Sequence, residues 1–164
     1  MESRPKIKLQ LSQFDKNLEL CSKLFLILIW AFSFYVFYKM PDMIAIHFNS
    51  VGKADQYGNK IFLLILPALA TIIYFGITKL NQYPHIFNYL TKITEGNARK
   101  QYTIATRLLR YLKLVSLLIF FLIILMTYLA TMGMTNGLGF WFLPLMLALV
   151  FIPVIISIFQ SLRK

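Results

Sequence analysis

Residues 114–132 read LVSLLIFFLIILMTYLATM, and from Leu114 through Leu162 the chain carries no Asp, Glu, His, Lys or Arg. A hydrocarbon layer about 30 Å thick demands such a run, because about twenty apolar residues at a helical rise of 1.5 Å cross it. Backbone polar groups in lipid must be satisfied within the segment, so the run is read as a helix. An uncharged turn, Gly133 to Gly139, separates it from another run at 140–159, which contains Pro144 and Pro153. Two further apolar runs lie toward the N-terminus, at 18–38 and 61–78. The expected fold is an all-α membrane protein, a four-transmembrane-helix bundle.

Composition agrees. The chain has 164 residues, 59% of them hydrophobic, and a mean hydropathy of +0.67. Soluble domains sit nearer 45–50% apolar. The length suits a polar N-terminal segment, 1–17, followed by a single membrane domain, 18–164. Within 1–17, Ser12 followed by Asp15 is helix-start chemistry. In the first span the uncharged part, Leu24 to Tyr38, reaches only roughly 22 Å, and Lys23 and Lys39 snorkel to make up the difference. Pro67 in the second span predicts a kink. No small-residue cleavage site follows the first span, so it is expected to be retained. The single cysteine, Cys21, excludes an intramolecular disulfide.

Charge sets an expected orientation. The net charge is +11, from 17 Lys and Arg against 6 Asp and Glu. The bases are dispersed between apolar spans, which argues against nucleic acid and for anionic lipid head groups. Fourteen of the 17 lie from the N-terminus through Lys23, in the connection 79–113 or after the last span; three lie in the loop 39–60 and none in 133–139. The positive-inside rule then puts both termini and 79–113 in the cytoplasm, and 39–60 outside, in a multi-pass protein of the inner (plasma) membrane.

In the connection 79–113, Pro84 can open a short helix, 84–94, which Glu95-Gly96-Asn97 would end. From Ala98 a helical pattern runs unbroken into the third span. Lys100, Thr103, Arg107 and Arg110 form one stripe, and Ala98, Tyr102, Ala105, Leu109 and Leu112 another. Arg99, Lys100, Arg107, Arg110 and Lys113 are thus expected to form a cytoplasmic basic surface. It would hold orientation and bind anionic lipid, or dock a cytoplasmic regulator.

The loop reads PDMIAIHFNSVGKADQYGNK, residues 41–60. Pro41 ends the first helix. Met43 to Asn49 alternates, with Ile44, Ile46 and Phe48 on one side and Ala45, His47 and Asn49 on the other, the pattern of an extended segment. Gly52, Asp55, Gly58 and Asn59 are turn chemistry. A short extended extracytoplasmic flap is expected. Its polar residues admit a structural role, with His47 and Asn49 bonding backbone and Asp55 joined to Lys60. They also admit a peptide or ligand surface. His47, Asp42 and Asp55 are acceptable metal ligands, with His47 and Asp55 the candidates, but no dense ligand set surrounds them. No cofactor is expected.

Pro41, Ile44, His47, Phe48, Asn49, Gly52, Asp55, Gly58, Lys60 and Pro67 resemble the motif of a bacterial membrane domain family of unknown function. That domain also forms the N-terminal part of SdpI-type immunity proteins, which protect producer cells from a toxic peptide. Asn97 to Tyr102 is similar to the family's region before its third span. Ala45 stands where the family usually has proline, which alters the rigidity of the flap. The chain is too short for the further C-terminal membrane region of SdpI-type proteins. The resemblance implies binding of a toxic peptide or another membrane protein, for immunity or signalling, with Pro41, His47, Asn49, Gly52, Asp55, Gly58 and Lys60 as the contacting loop. The span interiors lack ionisable residues of the kind that mark proton relays and active sites. An enzyme is therefore not expected. The alternatives are a small membrane subunit, or a metal-dependent membrane enzyme or transporter working through His47 and Asp55.

Overall fold

The computed structural model describes residues 4–163. Helix α1 (Gln13–Lys39) starts where Ser12 and Asp15 announce it. The Asp15 carboxylate accepts from the Ser12 N–H at 3.0 Å and the Ser12 hydroxyl at 2.6 Å, while Ser12 Oγ accepts from the Asp15 N–H at 3.2 Å. This reciprocal box satisfies free donors at the helix start. The helix ends at Lys39 because Met40, which precedes Pro41, is extended (ψ 151°).

Strands β1 (Met43–Phe48) and β2 (Ala54–Asn59) form an antiparallel hairpin. The expected alternation along β1 fails. Ile44 and Ala45 are both buried and Ile46 is exposed, because the register slips between Ala45 and His47, and again between His47 and Phe48. Such bulges turn a strand's faces locally.

A 3-10 turn, Lys60–Leu64, leads into α2 (Ile65–Leu80). Asn59 caps the turn by accepting from the Ile61 N–H at 2.9 Å. Pro67 falls in the first turn of α2, where an N–H has no helical partner to lose. The tight turn before the helix takes the place of the expected kink.

The short helix expected over 84–94 does not form; only Pro84–Ile86 makes a 3-10 turn. Side chains occupy the carbonyls such a helix would need. Tyr89 donates to Pro84 O at 2.8 Å, and Arg4 donates to His85 O at 3.2 Å and Phe87 O at 2.5 Å. Burial raises the Tyr89 hydroxyl well above the ordinary phenol range, neighbouring Tyr102 adds to the shift and Arg4 offsets part of it. The phenol thus remains a donor.

Helix α3 (Glu95–Thr131) is continuous over 37 residues. Glu95-Gly96-Asn97, expected to end a helix, opens this one. Asn97 Oδ1 accepts from the Thr94 N–H and its Nδ2 donates to Lys92 O, both at 2.9 Å. Glu95 also suits the positive end of the helix. Helix α4 (Phe142–Leu162) carries Pro153 inside it. The helical segments Gln13–Lys39, Lys60–Leu80, Glu95–Thr131 and Phe142–Leu162 are all long and apolar enough to span a membrane.

α3 is the central element. α1 runs beside it in the same direction, as the pairs Asp15–Arg107, Phe25–Phe121 and Phe32–Tyr128 show. α2 returns against both, and Trp30 Nε1 of α1 donates to Thr71 Oγ1 of α2 at 3.0 Å. Ile29, Val36, Ala70, Leu117 and Ile124 fill the interior of these three helices. α4 packs along α3, and Met146 is its one buried residue. The arrangement is a three-helix core with α4 on the flank of α3, more open than a closed bundle of four. Phe34, Ile72, Phe75, Phe151, Ile155 and Phe159 face outward, as lateral surfaces in lipid require.

Candidate functional site

The hairpin lies at the end of the molecule opposite the described terminal segments, and three glycines hold it there. Its turn is built by Asn49, whose Oδ1 accepts from the N–H groups of Val51 (3.1 Å) and Lys53 (3.0 Å). Gly52 closes the turn at φ +77°. Its carbonyl accepts from the Leu138 N–H at 2.7 Å, and Lys53 bridges Gly137. A Cβ on Gly52 would stand 2.5 Å from Gly139 N and O, and one on Gly137 would stand 2.1 Å from Gly52 O. Only glycine permits backbones to cross this closely. The loop 133–139 thus clamps the hairpin tip.

The root of the hairpin is held by Lys60. Its ammonium donates to Met40 O at 3.2 Å, pairs with Asp42 at 3.1 Å and lies 5.2 Å from the Phe37 ring centroid. These contacts tie the start of the 3-10 turn to the end of α1. Asp55 is therefore not joined to Lys60, contrary to the structural alternative considered above. It pairs instead with His47 across the strands, Nδ1 to Oδ1 at 2.5 Å. The bulges cause this: they leave Ile46 and Asp55 unmatched in the ladder and bring Asp55 beside His47. The His47 side chain bonds no backbone among the described residues, and the pair is solvent-facing, with side-chain exposures of 57% and 41%.

Of the motif residues, Asn49, Gly52 and Lys60 therefore build the flap, Pro41 follows the end of α1, and Gly58 makes room for Ile46, whose Cδ1 would meet a Cβ there at 2.7 Å. His47 and Asp55 remain as the exposed polar pair. Beneath them a groove of about 400 Å³ runs between β1, α2 and α3, walled by Ile44, Phe48, Phe62, Leu66 and Ile123 with His47 at its rim. A cleft of about 660 Å³ opens on the other side of the hairpin, lined by Ala45, Lys53, Tyr57, Thr131 and Asn136 among others. Among the described residues no third His, Cys, Asp or Glu joins His47 and Asp55 in a metal-sized cluster.

The basic surface expected from Arg99, Lys100, Arg107, Arg110 and Lys113 divides. Arg107 pairs with Asp15 at 2.8 Å across α1 and α3. Arg110 and Lys113 are buried. Lys113 Nζ reaches Glu19 at 2.6 Å and donates to Thr78 Oγ1 at 3.0 Å, with the Tyr74 ring at 4.8 Å. Arg110 Nε lies 3.1 Å from Glu19 Oε1 as an ion pair, without the alignment of a hydrogen bond. Arg110 and Lys113 face α1 and not a free surface, because α3 presents them to Glu19; Arg107 pairs with Asp15 while its side chain stays partly exposed. Arg99 and Lys100 lie apart from this cluster, near the end of α4. The Glu19 cluster escaped sequence reasoning. Its signal was there: Asp15 and Glu19 are four apart on α1, and Arg107, Arg110 and Lys113 are three apart on α3, so each set lies on one helical face.

Comparison with known proteins names no activity. The chain is 35% identical over 69 residues to an uncharacterized protein of Archaeoglobus fulgidus, a match covering 37% of this chain and 38% of that protein. No solved structure matches the chain. Residues 24–71, which hold most of α1, the hairpin and the beginning of α2, match the family described as Domain of unknown function (DUF1648).

Proposed function

We propose that this chain is a multi-pass protein of the bacterial plasma membrane, with both termini cytoplasmic, that binds a toxic peptide or a partner membrane protein at its hairpin end and protects or signals without catalysis. The observation that carries the reading is a hairpin held at tip and root, with the His47–Asp55 pair left exposed above an apolar groove. A held platform with few polar groups over an apolar wall suits recognition, since little ordering cost accompanies binding. An amphipathic peptide offers the complementary chemistry, apolar residues for the groove and a polar group for the pair. The SdpI-type resemblance supports protection as the outcome. The excess of Lys and Arg at the opposite end supports cytoplasmic termini. The three bases of α3 are all engaged by the two acids of α1, which fits a structural use of those charges better than proton or ion transport.

The test is survival of a sensitive bacterium expressing the chain, challenged with a panel of secreted toxic peptides. Wild type is compared with His47→Ala and Asp55→Ala at equal membrane levels. Protection by wild type and its loss in both variants is the expected result. Full protection by the variants would move the site off the pair, and no protection against any peptide would refute the immunity reading.

A further inference from the structure

Where α3 begins and α4 ends, a cleft of about 620 Å³ is lined by Gly96, Arg99, Lys100, Ile104, Gln160 and Arg163. Three side chains there are cationic and none is acidic. Lys100 Nζ donates to Arg163 O at 2.5 Å. Behind the cleft Gln101 Nε2 donates to Ser161 O at 2.8 Å, and Ser161 Oγ donates to Gln101 Oε1 at 2.6 Å. The walls are thus tied together. The guanidinium groups of Arg99 and Arg163 form no ion pair among the described residues, and Glu95, one turn before Arg99, pairs with neither.

Depth decides what such a cleft meets. α4 exposes apolar side chains along its length and buries only Met146, so Phe142 to Phe159 needs hydrocarbon around it. Its 21 residues span about 31 Å, close to the thickness of a bilayer core. Arg163 then sits at head-group level, and the Gln101–Ser161 bonds bring Arg99 and Lys100 to the same level. Ile104 marks where the wall becomes apolar, toward the acyl chains.

From this we infer that the cleft is a binding site for one anionic glycerophospholipid, its phosphodiester held by Arg99, Lys100 and Arg163 and its chains lying along the α3–α4 seam. Guanidinium forks match phosphate oxygens geometrically. Basic recesses between membrane helices select anionic head groups, and the three cations would repel the choline of a zwitterionic lipid. The site is independent of the hairpin and stands or falls without it.

The full chain, purified in mild detergent, is titrated with phosphatidylglycerol or phosphatidylcholine, and bound lipid is counted by native mass spectrometry. Wild type is compared with Arg99→Gln/Arg163→Gln and with Lys6→Gln/Lys8→Gln, which removes two exposed cations outside the cleft. The expected result is one tightly held phosphatidylglycerol, weakened about tenfold or more in the cleft variant alone. Thermal midpoints in phosphatidylcholine check that both variants fold. Equal loss in the two variants would reduce the effect to general surface charge and overturn the site. Displacement of the lipid by millimolar glycerol phosphate would assign the cleft to a soluble anion and overturn the head-group identity. Unchanged lipid binding in the cleft variant would refute the inference and leave these cations to a protein partner.

Discussion

Gly52 and His47 lie five positions apart and answer different questions. Alanine at Gly52 would have to adopt φ +77° with its Cβ 2.5 Å from Gly139 backbone. Neither strain can be relieved by a side-chain rotation, so Gly52→Ala is expected to cost about 1–3 kcal/mol and to free the hairpin tip. Limited proteolysis between Phe48 and Ala54, with the thermal midpoint in detergent, measures both. An unaltered cleavage rate would show that the clamp with loop 133–139 is dispensable. His47→Ala removes half of an exposed pair and is expected to change stability by about 1 kcal/mol at most, read by the same thermal midpoint. Loss of protection in that variant would therefore report on binding and not on folding. Glycine and asparagine were legible here as turn chemistry because their physics is local. The partner of Asp55 was not, because two bulges reset the register and no local rule announces them.

The charged faces of α1 and α3 form a ladder, Asp15 to Arg107 and Glu19 to both Arg110 and Lys113. Removing one partner of a buried ion pair leaves a charge without compensation. Glu19→Gln is therefore expected to destabilise by about 3–5 kcal/mol. The triple change Glu19→Leu/Arg110→Met/Lys113→Met removes the whole cluster and is expected to recover most of that loss. Unfolding monitored in mixed micelles distinguishes the two; equal destabilisation would mean that the cluster acts through packing alone. The stripe on α3 was visible from periodicity as basic, yet it was expected to face lipid head groups or a partner. Its true partners stand 92 and 94 residues away, and the relative register of two helices is not written in either. The segment 84–94 fails in the same way: Pro84 is a sound helix opener, but Arg4 and Tyr89 take the carbonyls.

At the scale of the whole molecule, the three-helix core with α4 on one flank places the hairpin and loop 133–139 at one end and the described terminal segments at the other. Orientation in a membrane is checked with single cysteines in a Cys21→Ser background, since Cys21 is exposed and would otherwise react. Val51→Cys is expected to react with an impermeant maleimide on intact spheroplasts, and Leu90→Cys only after permeabilisation. Both positions are exposed. The reverse pattern would overturn the cytoplasmic placement of the termini.

The sequence alone determined four long apolar segments, because a run without charges needs no partner to declare its preference for lipid. It also determined that the loop 39–60 is extended and turn-rich, and where α1 begins and ends, because caps and prolines act within a few residues. Tertiary structure decided how those segments meet. It set the flank position of α4, the inward turn of Arg110 and Lys113, the pairing of Arg107 with Asp15, the union of His47 with Asp55, and the gathering of Arg99, Lys100 and Arg163 around one cleft. Each of these depends on contacts between residues distant in the chain, or on a strand register that two bulges shift, and periodicity carries no record of either.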